Sequence, residues 1–166
     1  MESYILEFTC TGIENGGIFP IKNTGYGEDD SPEFVLHNLS DKAKTLAITL
    51  EDLSHPIKGF THWLIWNIPA KVRIPEGIVA GKTVEKPKKA KQGIAYGFHR
   101  YAGPKPPKGK THKYCFTIYV LDCSFDLGTN CLKRGFLKKA RGHILQKGSL
   151  VAEFEGKKEG RKTHEI

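Results

Sequence analysis

Short runs of alternating apolar and polar residues recur along the chain, and they predict β-strands. Alternation with a period of two places successive side chains on opposite faces of a sheet, and Gly, Pro, Asn or Asp residues separate the runs. The predicted strands span residues 4–9, 33–37, 45–50, 62–67, 114–121 and 150–154. Short strands in this arrangement close into a two-layered sandwich, so we expect an all-β domain.

One segment near the end of the chain departs from this pattern. A helical spacing relates its apolar residues, which are Leu132, Phe136, Leu137, Ala140 and Ile144. Basic residues fill much of the space between them, and Gly142 follows as a residue that commonly ends helices. We therefore expect one short helix near the C-terminus.

Two stretches without periodicity are expected to lie outside the core. Residues 82–93 read KTVEKPKKAKQG and predict an exposed loop, and the polar tail from Gly156 is expected to contribute little to the fold. Trp63 and Trp66 differ in parity along their strand. One of them should therefore face the core between the sheets and the other the opposite side of its own sheet.

The loop between Tyr101 and Tyr114 is the first candidate for chemistry. It reads YAGPKPPKGKTHKY, so three prolines and two glycines precede His112 at the start of a predicted strand. Proline fixes φ and glycine permits close approach, so such a loop has few conformations to lose on folding. A stiff loop that presents a titratable ring is suited to lining a small polar pocket.

A second candidate lies at the turn between two predicted strands. Asp52 follows the strand 45–50, and His62 begins the strand 62–67. Because an antiparallel pair joined by a short loop brings these ends together, we expect the carboxylate and the imidazole to lie near one another.

These residues belong to three blocks that resemble the phosphatidylethanolamine-binding protein family, in its compact bacterial and archaeal form. The family's Asp-Pro-Asp-x-Pro block is similar to DLSHP at residues 52–56, and its His-Trp-x-x-x-Asn-x-Pro block to HWLIWNIP at 62–69. Its Tyr-x-Gly-Pro-x-Pro-Pro-x-Gly-x-x-His-Arg-Tyr run is similar to residues 101–114, with Lys113 in place of arginine. Leu53 and Ser54 depart from the first block.

The resemblance implies both a fold and a site. The fold would be a Greek-key β-sandwich with a short C-terminal helix, formed as a single domain by residues 1–166. The site would bind a phosphate-type or other small anionic group, such as a lipid head group or a phosphorylated ligand, without catalysis and without a cofactor or metal. Its residues would be Asp52, His62, His112, Tyr114 and the backbone at Gly103, Pro104 and Lys105.

The family also suggests partners. Its members include inhibitors and modulators of kinases and proteases, so a protein partner is the alternative to a small ligand. Compact bacterial members tend to pair, which suggests a homodimer.

Composition bears on the compartment and on nucleic acids. A net charge of +8 attracts anions, but the lysines are not interleaved with an aromatic stacking platform or a recognition motif, so specific nucleic-acid binding is not expected. No apolar run reaches the ~20 residues that span a bilayer, and the N-terminus lacks a signal peptide pattern, which predicts a cytoplasmic protein.

The four cysteines fit neither a zinc motif nor a disulfide scaffold. Cys10 and Cys115 are expected to be plain buried thiols. Cys123 and Cys131 flank the turn at residues 128–130, where a disulfide is one alternative and two free thiols the other.

Two enzyme classes remain as alternatives. Ser54 lies close in sequence to Asp52 and His62, and a Ser-His-Asp arrangement would support acyl transfer. However, Ser54 lacks the Gly-x-Ser-x-Gly context of a serine nucleophile. Two histidines and an aspartate would also suit zinc. Neither is favoured over an anion pocket, so we do not expect an enzyme.

Overall fold

The computed structural model describes residues 4–157 of the chain. Most of its regular structure is strand. The strands are β1 (Phe8–Cys10), β2 (Phe34–Leu36), β3 (Thr45–Asp52), β4 (Phe60–Pro69), β5 (Arg73–Ile74), β6 (Thr83–Val84), β7 (Ala90–Gln92), β8 (Thr111–Leu121) and β9 (Ile144–Glu155). A 3₁₀ turn covers Ile21–Asn23, and a single helix of the described part, α1, covers Lys133–Ala140.

The strands form two sheets, which confirms the predicted β-sandwich. A three-stranded sheet has the order β1-β2-β5, and a six-stranded sheet has the order β6-β7-β4-β3-β8-β9. Within the larger sheet, β8 returns to lie beside β3 after β4 and β7, which gives the order β8-β3-β4-β7 of a Greek key. The pairs in this group are antiparallel.

The large sheet is covered on both faces, so its central strands lose the alternation of a half-exposed strand. Between the two sheets, Ile48, Leu50 and Trp63 pack with Phe34 and Phe116. The other face lies under α1, where the apolar side chains are Ala47, Leu64, Trp66, Tyr119 and Phe136. The two tryptophans therefore face opposite sides of the sheet, as their parity predicts.

The helix is shorter than predicted and is not the last element. Phe136 and Ala140 are buried one turn apart, and the Phe136 ring stacks on Trp66 with centroids 6.1 Å apart. Lys133 pairs with Glu51 of β3 and fastens the first turn to the sheet. Ile144 begins β9 instead of continuing the helix. No helix in residues 4–157 is long and apolar enough to cross a membrane.

The prediction of an exposed loop at residues 82–93 is wrong at both ends of the segment. This segment forms β6 and β7, and Gln92 is fully buried. The Gln92 side chain accepts a hydrogen bond from Trp63 Nε1 at 2.7 Å and donates to the carbonyl oxygens of Val79 and Gly81 at 2.9 and 3.0 Å. The polar sequence of this segment did not predict a buried strand, because a sequence pattern does not show that the Gln92 amide is hydrogen-bonded inside the protein.

The prediction that the tail from Gly156 contributes little to the fold is wrong at Gly156 itself. Gly156 donates its N–H to the Lys110 carbonyl and accepts from Gly109 N–H, so the chain end after β9 is fastened to the proline-rich loop. Residues 158–166 lie outside the described part of the chain. All four cysteines are free thiols, which decides the alternative left open at Cys123 and Cys131.

Gln92→Leu should lower the free energy of unfolding by at least about 2 kcal/mol, because it leaves the buried Trp63 N–H and two or more carbonyl groups without partners. Urea denaturation measures this loss. Lys88→Ala, an exposed position of the same segment, is the matched control and should change stability by less than about 0.5 kcal/mol. Equal effects of the two substitutions would contradict the buried role of Gln92.

Candidate functional site

A cavity of about 400 Å³ opens at the end of the sandwich where β3 and β4 join and where β8 begins. The strands contribute four polar side chains to its wall, which are Asp52, His62, His112 and Tyr114. The loops contribute Ser54, His55, Tyr96, Lys105 and Lys110, together with prolines of the proline-rich loop. The cavity is therefore polar at its base and positively charged at its rim.

Five of the seven predicted site residues line this cavity: Asp52, His62, Lys105, His112 and Tyr114. Gly103 and Pro104 do not line it. The sequence did not single out Tyr96, His55 or Lys110, which are brought to the cavity by loops. Tyr96 has φ of +52°, a left-handed conformation that is a property of the folded loop and not of the sequence pattern.

Asp52 and His112 form the centre of the site. Asp52 lies opposite Tyr114 in the β3–β8 ladder, and its side chain is almost fully buried. His112 Nδ1 donates to Asp52 Oδ2 at 2.8 Å, and the Ser54 N–H donates to Asp52 Oδ1 at 2.9 Å. The carboxylate thus fixes the orientation of the His112 ring.

His62 has a different environment from His112. Its Nδ1–H donates to the Ala102 carbonyl at 2.7 Å, and the ring packs against Tyr96 and Tyr114. Burial lowers the pKa of His62, while the Ala102 hydrogen bond and the charge of Asp52 act in the opposite direction with smaller effect. The neutral ring keeps one proton at Nδ1, so its Nε2 is a hydrogen-bond acceptor.

Tyr114 remains a phenol. Burial raises its pKa far above the ordinary value for tyrosine, and the nearby carboxylate of Asp52 adds to this shift. Its hydroxyl is therefore a neutral donor and acceptor at the base of the cavity. The Lys105 ammonium lies over the ring of Tyr26, 5.8 Å from the centroid, at the rim.

The proline-rich loop is held by a segment distant in sequence. Gly103 N–H donates to Asp29 Oδ1 at 2.7 Å, and the Tyr101 hydroxyl donates to the Asn23 carbonyl at 2.6 Å. Arg100 adds an ion pair with Asp29 at 3.2 Å. Sequence reasoning missed Asn23 and Asp29 because nothing in their local pattern pairs them with loop residues that lie 78 and 74 positions away.

Two geometric observations concern the residues of the enzyme alternatives. Ser54 Oγ accepts a hydrogen bond from the Lys113 N–H at 2.9 Å, and no contact described between residues 4 and 157 joins Ser54 to a histidine ring. Asp52, His62 and His112 do not form a group with all ligand atoms within 4.8 Å of one another. The cavity is also lined by the side chains of Lys105 and Lys110 and by the ring of His62, whose pKa burial lowers.

Comparison with known proteins identifies relatives over most of the chain. The family model described as phosphatidylethanolamine-binding protein matches residues 9–155. A UPF0098 protein of Pyrococcus abyssi is 40% identical over 145 residues, which cover 86% of this chain and 82% of the relative. The UPF0098 protein YbhB of Escherichia coli is 31% identical over 136 residues, covering 78% and 85%.

Solved structures show the same fold. A putative phosphatidylethanolamine-binding protein homologue from Chlamydia trachomatis superposes with a TM-score of 0.79 and 25% identity, covering 92% of this chain and 99% of the other. Escherichia coli YbcL gives a TM-score of 0.81 with 23% identity and the same coverage. The second likeness concerns the fold alone.

Lowering the pH should destabilise the protein through His62. Because burial depresses its pKa in the folded state, the unfolded chain binds a proton first, and stability present above about pH 6.5 is lost as the pH falls. Between pH 7 and pH 5, wild-type protein should lose up to about 1.4 kcal/mol per pH unit more than His62→Gln. Urea denaturation across this range measures both slopes, and parallel slopes would contradict a buried, neutral His62.

Gly103→Ala should displace the proline-rich loop. A Cβ atom there would lie 2.2 Å from the Asn23 carbonyl oxygen and 2.7 Å from Asp29 Oδ1, so the backbone must move. We expect a loss of about 1–3 kcal/mol in the free energy of unfolding. Gly128→Ala is the matched control, because a Cβ there meets no atom within 4 Å. If both variants were equally stable, the loop would not depend on this contact.

Proposed function

The chain belongs to the phosphatidylethanolamine-binding protein family, and from this premise we propose that it binds a phosphate-type or other small anionic group in the cavity beside Asp52, without catalysis. Membership of the family supports ligand binding in general. The observation that carries the finer proposal is the 2.8 Å contact between Asp52 and His112 at the base of a cavity that Lys105 and Lys110 also line.

The protonation states favour an anion. With Nδ1–H directed at Asp52, a neutral His112 has only a lone pair at Nε2, whereas the protonated ring donates from Nε2. Binding of an anion and protonation of His112 should therefore support each other. Two lysines add positive charge, and charge-assisted hydrogen bonds are stronger than neutral ones.

His62 adds a preference among anions. Its neutral Nε2 accepts hydrogen bonds, so it suits a ligand that carries a proton on one oxygen, or the ammonium or hydroxyl group of a larger head group. A phosphate monoester can supply acceptor oxygens to His112 and a donor to His62. Free phosphate, a lipid head group and a phosphorylated residue of a partner protein share this chemistry.

Regulation of a kinase or protease and pairing of two copies stay predictions. A phosphorylated partner would place its phosphate in the same cavity, so competition between phosphoserine peptides and free phosphate tests the partner alternative. Binding of the peptide that is not displaced by phosphate would point to contacts elsewhere.

Histidine side-chain NMR during titration with phosphate and then phosphoethanolamine tests the anion site. We expect saturable shifts of the His112 and His62 ring signals, and no such shifts in His112→Gln. Asp52→Asn should weaken binding roughly tenfold or more, because it removes the charged hydrogen bond that holds the protonated ring. Ser54→Ala, on the same cavity wall, should weaken it much less. Equal and negligible effects of the two substitutions would place the anion elsewhere.

The pH dependence of binding provides a separate measurement. Affinity for sulfate, whose charge is constant between about pH 5 and 8, should fall as the pH rises through the range in which histidines titrate. The slope should disappear in His112→Gln. A flat profile for the wild-type protein would contradict the role given to His112.

A further inference from the structure

Three side chains of metal-ligand type meet where β8 ends and β9 begins. They are Asp122, Cys123 and His143, and one ligand atom from each lies within 4.8 Å of the others. Among the described residues this is the one group of three His, Cys, Asp or Glu side chains that meets this spacing. His112 stands near the start of β8 and Asp122 just past its end, so the group lies roughly 30 Å along the strand from the anion cavity.

The backbone holds the three residues in place. The Asp122 N–H donates to the His143 carbonyl at 3.1 Å, and the Thr45 hydroxyl donates to the Cys123 carbonyl at 2.6 Å. Gly142 has φ of +83°, a conformation that glycine adopts readily, and it turns the chain from α1 into β9 so that His143 meets Asp122. The backbone at this end of the sheet thus fixes the positions of the three residues.

The rings and hydrogen bonds around the group orient its ligand atoms. His143 Nδ1 donates to Asp122 Oδ1 at 2.9 Å, and the His143 ring packs edge-on against Phe125 with centroids 5.9 Å apart. The Cys123 sulfur lies within 4.8 Å of a ligand atom of each of the other two residues. An imidazole, a thiol and a carboxylate, all groups that bind divalent metals, therefore meet at one place.

We propose that Asp122, Cys123 and His143 form a binding site for Zn²⁺, with the fourth coordination position open to water. A thiolate sulfur and an imidazole nitrogen select zinc over Mg²⁺ and Ca²⁺, which prefer oxygen ligands. The thiolate and the carboxylate together balance the charge of a divalent ion, while His143 binds as a neutral ring. Three protein ligands with one open position is an arrangement known for zinc.

A surface ion pair is the simpler interpretation of the Asp122–His143 contact. Both side chains are nearly half exposed, and exposed pairs of this kind contribute little to stability. That interpretation does not involve Cys123, whereas a metal site requires its sulfur. A measurement that reports on the Cys123 sulfur therefore distinguishes the ion pair from a metal site.

Titration of the metal-free protein with Co²⁺, followed by competition with Zn²⁺, tests the proposal. Cobalt bound to a thiolate gives a charge-transfer absorption in the near ultraviolet, so the spectrum reports sulfur coordination directly. We expect one Co²⁺ per chain with this absorption, displaced by Zn²⁺. Cys123→Ser should abolish the absorption, and His143→Gln should weaken binding by more than roughly tenfold.

Two matched controls separate this site from other metal binding. Cys131→Ser removes another partly buried free thiol and should leave the absorption unchanged. His112→Gln removes a ligand-type residue of the anion cavity and should also leave it unchanged, so failure here and failure of the anion site are distinguishable. Absence of the absorption in the wild-type protein, its survival in Cys123→Ser, or its loss in Cys131→Ser would each overturn the proposal. Unfolding temperatures of the metal-free variants verify that each remains folded.

Discussion

At Gly103 the proline-rich loop approaches the segment around Asn23 and Asp29 so closely that no side chain fits between them. Asp29 accepts the Gly103 N–H, and Asn23 accepts the Tyr101 hydroxyl, so the loop is fastened at two neighbouring points. The loop in turn carries Lys105 and Lys110 to the cavity and presents the Ala102 carbonyl to His62. The shape of the cavity therefore depends on a contact that lies outside it.

The two histidines of the cavity, His62 and His112, have different hydrogen-bond partners. A carboxylate holds His112, whereas a backbone carbonyl and buried aromatic rings hold His62. Burial lowers the pKa of His62 and favours its uncharged ring, whereas a hydrogen bond to the Asp52 carboxylate orients the ring of His112. The two rings therefore have different environments, although both are histidines near the start of a strand.

The long strand β8 extends from the cavity beside Asp52 to the group formed by Asp122, Cys123 and His143. It pairs with β3 on one side and β9 on the other, and its central residues are buried because both faces of the large sheet are covered. The charged side chains of residues 111–122 thus lie towards the two ends of the strand. His112 and Tyr114 line the cavity beside Asp52 at one end, and Asp122 lies close to Cys123 and His143 at the other.

Residue spacing alone predicted the main strands of the sheet, the opposite facing of Trp63 and Trp66, and the placement of Asp52 and His62 at the same end of the sheet, because alternation along strands and pairing across a short turn are local properties. The resemblance of three sequence blocks to the family, and not spacing, added His112 and Tyr114 to this group. Tertiary structure decided that Gln92 is buried, that Ile144 begins a strand, that Gly103 supports the loop instead of lining the cavity, and that Asp52 bonds to His112 and not to His62. Each of these depends on a partner far away in sequence, whose hydrogen bonds or close contacts no local pattern encodes.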